Sequence, residues 1–145
     1  MSIKIYTDGS CAGNPGPGGW AAVIIGKNMK NELCGGEEST TNNRMELTAA
    51  IKALEYCDKK KLNLDMLEIC TDSIYLKDGI TNWINKWEKN NWKTSNKKNV
   101  KNIDLWKKLQ TLTKSKKIKW SWVKAHSNEA MNNLADRLAK KATPI

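Results

Sequence analysis

The chain begins with an alternation of apolar and polar side chains that is typical of a half-buried β-strand. The alternation covers residues 2–8 and stops at Gly9. Two further strand-like runs, 20–25 and 31–35, follow after clusters of turn residues. The pattern predicts an antiparallel meander of three strands, with Asp8 at the end of the first.

After the meander the apolar positions change to helical spacing. The residues 40–43 supply capping groups, and apolar side chains then recur at helical intervals to about Lys59. The remaining pattern predicts strands at 65–71 and 118–123 and helices at 73–80, 82–89, about 100–112 and 128–142. The order βββαβαααβα favours one α/β domain over residues 1–145, with helices on the faces of a sheet and ligands beyond the carboxyl ends of its strands.

The positive charge of the chain is concentrated in one segment. The formal net charge is +10, and residues 77–119 account for all of it with 13 lysines against three acidic residues. The same segment contains Trp83, Trp87, Trp92 and Trp106. Lysines interleaved with aromatic side chains are typical of nucleic-acid surfaces, although tryptophans four residues apart also fit packing within a helix. Both interpretations stay open on this evidence.

The cysteine and histidine content argues against a zinc site. The chain has four widely spaced cysteines, no Cys-x-x-Cys pair and one histidine, His126. We therefore expect reduced cysteines. The sequence contains no apolar run of membrane-spanning length and starts directly with strand-like alternation, so we expect a soluble, cytoplasmic protein that acts as a monomer.

Four carboxylates attract attention by their positions, although each has an ordinary structural explanation. Asp8 precedes a turn glycine, Asp72 precedes a predicted helix as a possible cap, and Glu46 lies at a capping-box position after Asn43. Asp136 could be a surface residue paired with Lys140 four positions later. None of the four indicates chemistry when taken alone.

Taken together, these carboxylates predict a divalent-cation site. Asp8 and Asp72 leave the sheet at strand ends, and Glu46 reaches the same edge from a helix that packs on the sheet. Crowded carboxylates raise one another's pKa unless a cation neutralises them, and hard oxygen ligands favour Mg²⁺ or Mn²⁺ over zinc.

Four motifs in order resemble the bacterial-type ribonuclease H of type 1. They are Asp8-Gly9-Ser10-Cys11 with its glycine-rich continuation to 19, the run 40–47, Thr71-Asp72-Ser73, and 123–126 with 132–136. The resemblance covers essentially the whole chain. It implies a mixed five-stranded sheet, three strands antiparallel and two parallel, with helices on both faces and a basic protrusion at about 81–99.

The resemblance also implies an activity. Members of this family hydrolyse the RNA strand of RNA/DNA hybrids with two metal ions, leaving 5′-phosphate and 3′-hydroxyl ends. By resemblance the metal ligands are Asp8, Glu46, Asp72 and Asp136, the cofactor is Mg²⁺ with Mn²⁺ as a substitute, and His126 assists proton transfer or product release.

The same resemblance assigns the substrate contacts. Asn14 and Asn42, together with Glu46, match positions that read RNA 2′-hydroxyls, whereas Thr41 and Asn102 match positions that hold a phosphate of the DNA strand. Further substrate contacts are implied for Asn43, Trp83 and Asn132. Departures from the family pattern at Ala125, Ile74 and Ser39 predict altered substrate contacts without loss of the chemistry.

Two other functions stay open for this sequence. A non-catalytic hybrid-binding module would keep the basic segment, but an acidic cluster opposite phosphate would only weaken its binding. An integrase-like strand transferase would share the metal site, but it would not need the asparagines or the basic segment.

Overall fold

The computed structural model describes residues 2–62, 66–124 and 129–144. None of the helices within these residues is both long enough and apolar enough to cross a membrane. The strands are β1 Ser2–Cys11, β2 Gly16–Gly26, β3 Met29–Thr40, β4 Met66–Thr71 and β5 Ile118–Trp122, and the helices are α1 Asn42–Lys59, α2 Ile74–Asp78, α3 Ile84–Lys89, α4 Ile103–Thr113 and α5 Ala130–Ala142.

The strands form one mixed sheet in the order β3-β2-β1-β4-β5. The pairs β1–β2 and β2–β3 are antiparallel, whereas β1–β4 and β4–β5 are parallel. The predicted sheet is therefore confirmed. The first three strands are longer than their apolar patterns indicate, because pairing continues through the glycine-rich turn to Cys11 opposite Gly18.

Helices cover both faces of the sheet, as the sequence predicts. On one face α1 and α4 bury a core that includes Ile5 and Ile69 from the strands and Leu47 from α1. On the other face α5 packs on a smaller cluster that contains Tyr6 and Ala135. Alternate side chains of β1 thus contribute to the two hydrophobic clusters on opposite faces of the sheet. Helices on either face can therefore place side chains at the sheet edge between these clusters.

The helix α5 lies unusually close to the backbone of β2 and β3. A methyl group placed on Gly19 would come within 2.1 Å of the carbonyl oxygen of Ala139, and one on Gly36 within 2.2 Å of that of Ala142. Only glycine fits beneath the helix at these two positions.

A π-helical turn, Gly79–Trp83, joins α2 to α3, where the sequence pattern predicts two separate helices. Gly79 lies against the ring of Trp106, and an added methyl group there would be 2.0 Å from a ring carbon. Trp106 is completely buried, and Trp87 and Trp92 pack on the same core. Packing is therefore the correct interpretation for Trp106, which offers no surface for stacking on a base.

Candidate metal centre

Three carboxylates from three elements meet at the carboxyl edge of the sheet. Asp8 comes from β1, Glu46 from the first turns of α1, and Asp72 from the residue after β4. One oxygen of each lies within 4.8 Å of the other two. The predicted convergence is confirmed by this geometry.

Glu46 faces the sheet because α1 begins at a well-formed cap. The hydroxyl of Thr41 accepts a hydrogen bond from the amide of Arg44 at 3.2 Å and starts the helix there. Glu46 is 2% exposed, and its Oε1 accepts a hydrogen bond from the amide of Gly9 at 2.5 Å. The carboxylate therefore belongs to the centre and does not complete a capping box.

Asp72 is held by the turn that follows β4. The hydroxyl of Thr71 accepts a hydrogen bond from the amide of Ser73 at 3.0 Å, and the indole of Trp122 donates one to the carbonyl oxygen of Asp72 at 3.3 Å. Ser73 is the cap of α2, since its hydroxyl accepts a bond from the amide of Leu76. The alternative role of Asp72 as a helix cap is therefore wrong.

The clustered carboxylates raise one another's pKa, because like charges repel strongly in a small, buried space. Burial raises the pKa of Asp8 to about 8, and the charges of Asp72 and Asp136 add to this, although the hydrogen bond with Glu46 opposes it. Burial and the charge of Asp8 hold the pKa of Glu46 well above its usual value. A bound cation would relieve this repulsion.

Asp136 on α5 lies at the rim of the same centre. It lines a cleft of about 450 Å³ together with Asp8, Glu46 and Asp72, and its charge contributes to the raised pKa of Asp8. Its Oδ2 is 3.1 Å from the ammonium of Lys140, so the pairing expected for a surface residue is present as well.

The donor set fits a hard divalent cation. Carboxylate oxygens are the preferred ligands of Mg²⁺ and Mn²⁺, and their crowding is costly without one. Cys11 also lines the cleft, but its thiol donates to the carbonyl oxygen of Gly13 at 2.7 Å in the glycine-rich turn. No soft ligand among the described residues joins the three carboxylates.

Three of the asparagines predicted to contact substrate border this centre. Asn42 and Asn43 line the cleft and are exposed. Asn14 lies beside them in the glycine-rich turn, and its Oδ1 accepts a hydrogen bond from the amide of Asn42 at 3.1 Å. The side-chain amide of Asn14 thus connects the turn to the start of α1.

Asn102 lies in a hydrogen-bonded network that the sequence patterns do not reveal. Its Oδ1 accepts from a guanidinium nitrogen of Arg44 at 3.3 Å, and its Nδ2 donates to the hydroxyl of Tyr75 at 3.1 Å. Arg44 also binds both carboxylate oxygens of Asp104, at 3.1 and 2.8 Å. The ring of Tyr75, in turn, packs against that of Trp83, with 5.7 Å between the ring centroids.

The structure does not offer Asn132 to a ligand. Its side chain is 1% exposed on the sheet-facing side of α5, and it is absent from the residues that line the cleft. Ala135 and Ala139 lie on the same face, and their small side chains allow this part of the helix to pack closely on the sheet. The expected substrate contact by Asn132 is therefore not supported, whereas His126 and Ala125 lie outside the described residues.

Comparison with known sequences identifies relatives across the whole length. The family model described as RNase H matches residues 1–143. Two bacterial proteins named Ribonuclease H are similar to the chain: that of Wolbachia sp. subsp. Drosophila simulans (strain wRi) is 54% identical over 97% of this chain and 94% of its own, and that of Maricaulis maris (strain MCS10) is 52% identical over 97% and 92%.

Solved structures resemble the fold over the same extent. LC9-RNase H1, described as a type 1 RNase H with the type 2 active-site motif, is 30% identical with a TM-score of 0.86, covering 97% of this chain and 71% of that one. LC11-RNase H1, solved in complex with an RNA/DNA hybrid, is 26% identical with a TM-score of 0.70, covering 97% and 96%.

Proposed function

The chain belongs to the ribonuclease H family, nucleases that cleave the RNA strand of RNA/DNA hybrids, and we propose that it does so by two-metal-ion hydrolysis. The products of this reaction are 5′-phosphate and 3′-hydroxyl ends. The observation that carries the proposal is the set of carboxylate oxygens from Asp8, Glu46 and Asp72 within 4.8 Å of one another.

Each carboxylate has a defined part in this proposal. Asp8, Glu46 and Asp72 would hold one Mg²⁺, and Asp8 with Asp136 would hold a second, with Mn²⁺ able to replace both. The ions, when bound, activate the attacking water and stabilise the leaving 3′ oxygen. The protein keeps Asp8 and Glu46 in position through the amide of Gly9, which donates to an oxygen of each.

The hybrid would extend from the centre onto both flanking surfaces. Asn14, Asn42 and Asn43 stand beside the carboxylates, where polar side chains can recognise RNA 2′-hydroxyls. Thr41, the residue before Asn42, and Asn102 would hold a DNA phosphate. The exposed lysines of the basic segment, with Trp83, would follow the DNA backbone, which makes binding strongly dependent on salt.

His126 would assist proton transfer or product release, as the family resemblance implies. Because the metal ions supply most of the activation, His126→Ala should slow the enzyme without inactivating it. Complete inactivation would give the imidazole a larger part. Action as a monomer in the cytoplasm stays a prediction.

Cleavage of an end-labelled RNA/DNA hybrid tests the proposed function. We expect cleavage of the RNA strand with Mg²⁺, none with a chelator, and none of RNA duplex or DNA duplex controls. Asp8→Asn and Asp72→Asn should abolish cleavage while hybrid binding persists. Full turnover in either variant would remove that carboxylate from the metal site.

The same assay separates the alternative functions. A binding module would retain the hybrid but leave the RNA intact across a range of Mg²⁺ and Mn²⁺ concentrations. A strand transferase would join DNA ends, a product that is visible on the same gel with labelled DNA.

A further inference from the structure

One positive charge stands inside the carboxylate cleft. Lys140 is the sole lysine or arginine among the described residues that line it, beside Asp8, Glu46, Asp72 and Asp136. Its ammonium lies 3.1 Å from Oδ2 of Asp136, one helical turn earlier on α5. Thus a cation built into the chain contacts one oxygen of the fourth carboxylate.

We propose that Lys140 is a displaceable counter-cation, which occupies Asp136 in the metal-free protein and must leave before Asp136 can bind its metal ion. This inference rests on the proposed two-metal function and assigns a regulatory part to a residue outside its ligand set. Lys140 thereby sets the metal concentration at which the second position fills, and not the affinity of the first.

The charges of the cleft explain why a counter-cation is useful there. With three carboxylates crowded at the sheet edge and a fourth at the rim, the metal-free site is repulsive. An ammonium at Asp136 reduces that repulsion. A divalent ion near the same oxygen would in turn repel the ammonium, so the two cations compete.

The position of Lys140 makes its departure easy. The side chain is 59% exposed and sits on a flexible four-carbon stem, and its partner Asp136 is 25% exposed. Exposed ion pairs between such side chains are weak and exchange readily with solvent. Because Lys140 pairs with Asp136, its competition with a metal ion acts at the position that Asp136 serves.

Lys140→Gln tests this inference, with Lys141→Gln as the matched control. Both changes remove one positive charge from the last turn of α5, but Lys141 is exposed and does not line the cleft. Calorimetry would measure Mg²⁺ binding to the hybrid-free protein and to the protein saturated with a cleavage-resistant hybrid that carries 2′-fluoro sugars in the RNA strand. Thermal melting with a chelator would accompany it.

We expect Lys140→Gln to tighten the weaker Mg²⁺ binding event about threefold to tenfold and to leave the tighter one within about twofold. In chelator it should melt below Lys141→Gln, and the difference should close as Mg²⁺ is added. Equal Mg²⁺ binding by the two variants, or weaker binding by Lys140→Gln, would overturn the inference. Failure of the metal site itself looks different, since Asp8→Asn would then bind Mg²⁺ as the unaltered chain does.

Discussion

The amide nitrogen of Gly9 lies 2.5 Å from Oε1 of Glu46, and this contact connects β1 to the helix α1 directly at the candidate metal centre. The same amide is 3.0 Å from Oδ1 of Asp8. One backbone donor is therefore shared between two of the clustered carboxylates. A methyl group on Gly9 would come within 2.5 Å of the amide nitrogen of Glu46, so the approach requires glycine.

Gly9→Ala should therefore damage both the fold and the centre. The added methyl group forces α1 away from β1, at a cost of about 1–3 kcal/mol in the free energy of unfolding, measured with urea. The shift of Glu46 should also weaken Mg²⁺ binding. Gly26→Ala is the control, because its methyl group would meet only ordinary contacts at 3.6 Å or more. Equal stability of the two variants would contradict the steric argument.

The stability of the metal-free protein should fall as the pH rises from about 5 to about 8. The pKa of Asp8 is about 8 in the folded chain, well above the value near 4 of an unfolded one, so the folded state binds more protons between these limits. Its contribution is complete below the unfolded pKa and is lost as the pH passes through 8. Glu46 acts in the same direction.

Urea unfolding in chelator at several pH values measures this loss, which should be on the order of 1–3 kcal/mol. Asp8→Asn should flatten the dependence. Saturating Mg²⁺ should reverse its sign, because the cation binds the deprotonated carboxylates. A metal-free stability that rises from pH 5 to 8 would contradict the raised pKa.

Two threonines paired side by side in β1 and β4 should respond in opposite ways to loss of the hydroxyl. Thr7 and Thr71 are both completely buried and face each other in register. The Thr7 hydroxyl has no partner among the described residues, so Thr7→Val should be neutral or stabilise by about 1 kcal/mol. Thr71→Val should destabilise by about 1–2 kcal/mol, since it leaves the amide of Ser73 unpaired.

Metal binding gives a second readout for this pair. Thr71→Val should also weaken Mg²⁺ binding, because the turn that holds Asp72 loses its support, whereas Thr7→Val should leave it unchanged. Identical effects of the two substitutions would show that the hydrogen bond to Ser73 does not position the turn.

Arg44 should matter beyond its charge. Arg44→Lys keeps the charge but cannot bind both oxygens of Asp104 while also holding Asn102, so we expect about a twofold to fivefold loss of hybrid affinity and about 1 kcal/mol of stability. The other arginine of the chain, Arg137, is exposed, and Arg137→Lys should change neither. Binding measured by fluorescence anisotropy at fixed salt distinguishes these outcomes.

The sequence predicts the elements and the carboxylate cluster for a shared reason. The sequence places Asp8 and Asp72 at the ends of predicted strands. The pairing of β1 with β4 does end at Thr7 and Thr71, just before these carboxylates, although β1 itself continues to Cys11. Glu46 follows from helical spacing after the cap at Thr41. Each signal is local in the sequence, and the folding of the sheet brings the three carboxylates close together.

The features that sequence patterns miss depend on packing between distant segments. Asn132 and Asp136 are four residues apart on α5, yet Asn132 is buried together with Ala135 and Ala139, whereas Asp136 lines the cleft. The aromatic spacing around Trp87 likewise fits a surface or a core, and only the tight contact between Gly79 and the ring of Trp106 shows that Trp106 belongs to the core. Periodicity does not specify which neighbour a face will meet.

Because α5 packs directly on the backbone of two glycines, few substitutions are tolerated beneath this helix. Where a helix rests on side chains, substitutions beneath it can shift the helix gradually, but no residue smaller than glycine exists for Gly19 and Gly36. The distance between α5 and the sheet therefore cannot be reduced by a smaller residue at these positions. A larger residue at either position would push α5 away from the sheet, and Asp136 would move with the helix. Substitutions that alter the metal site are therefore expected at exposed residues around the cleft, where a single change does not displace α5.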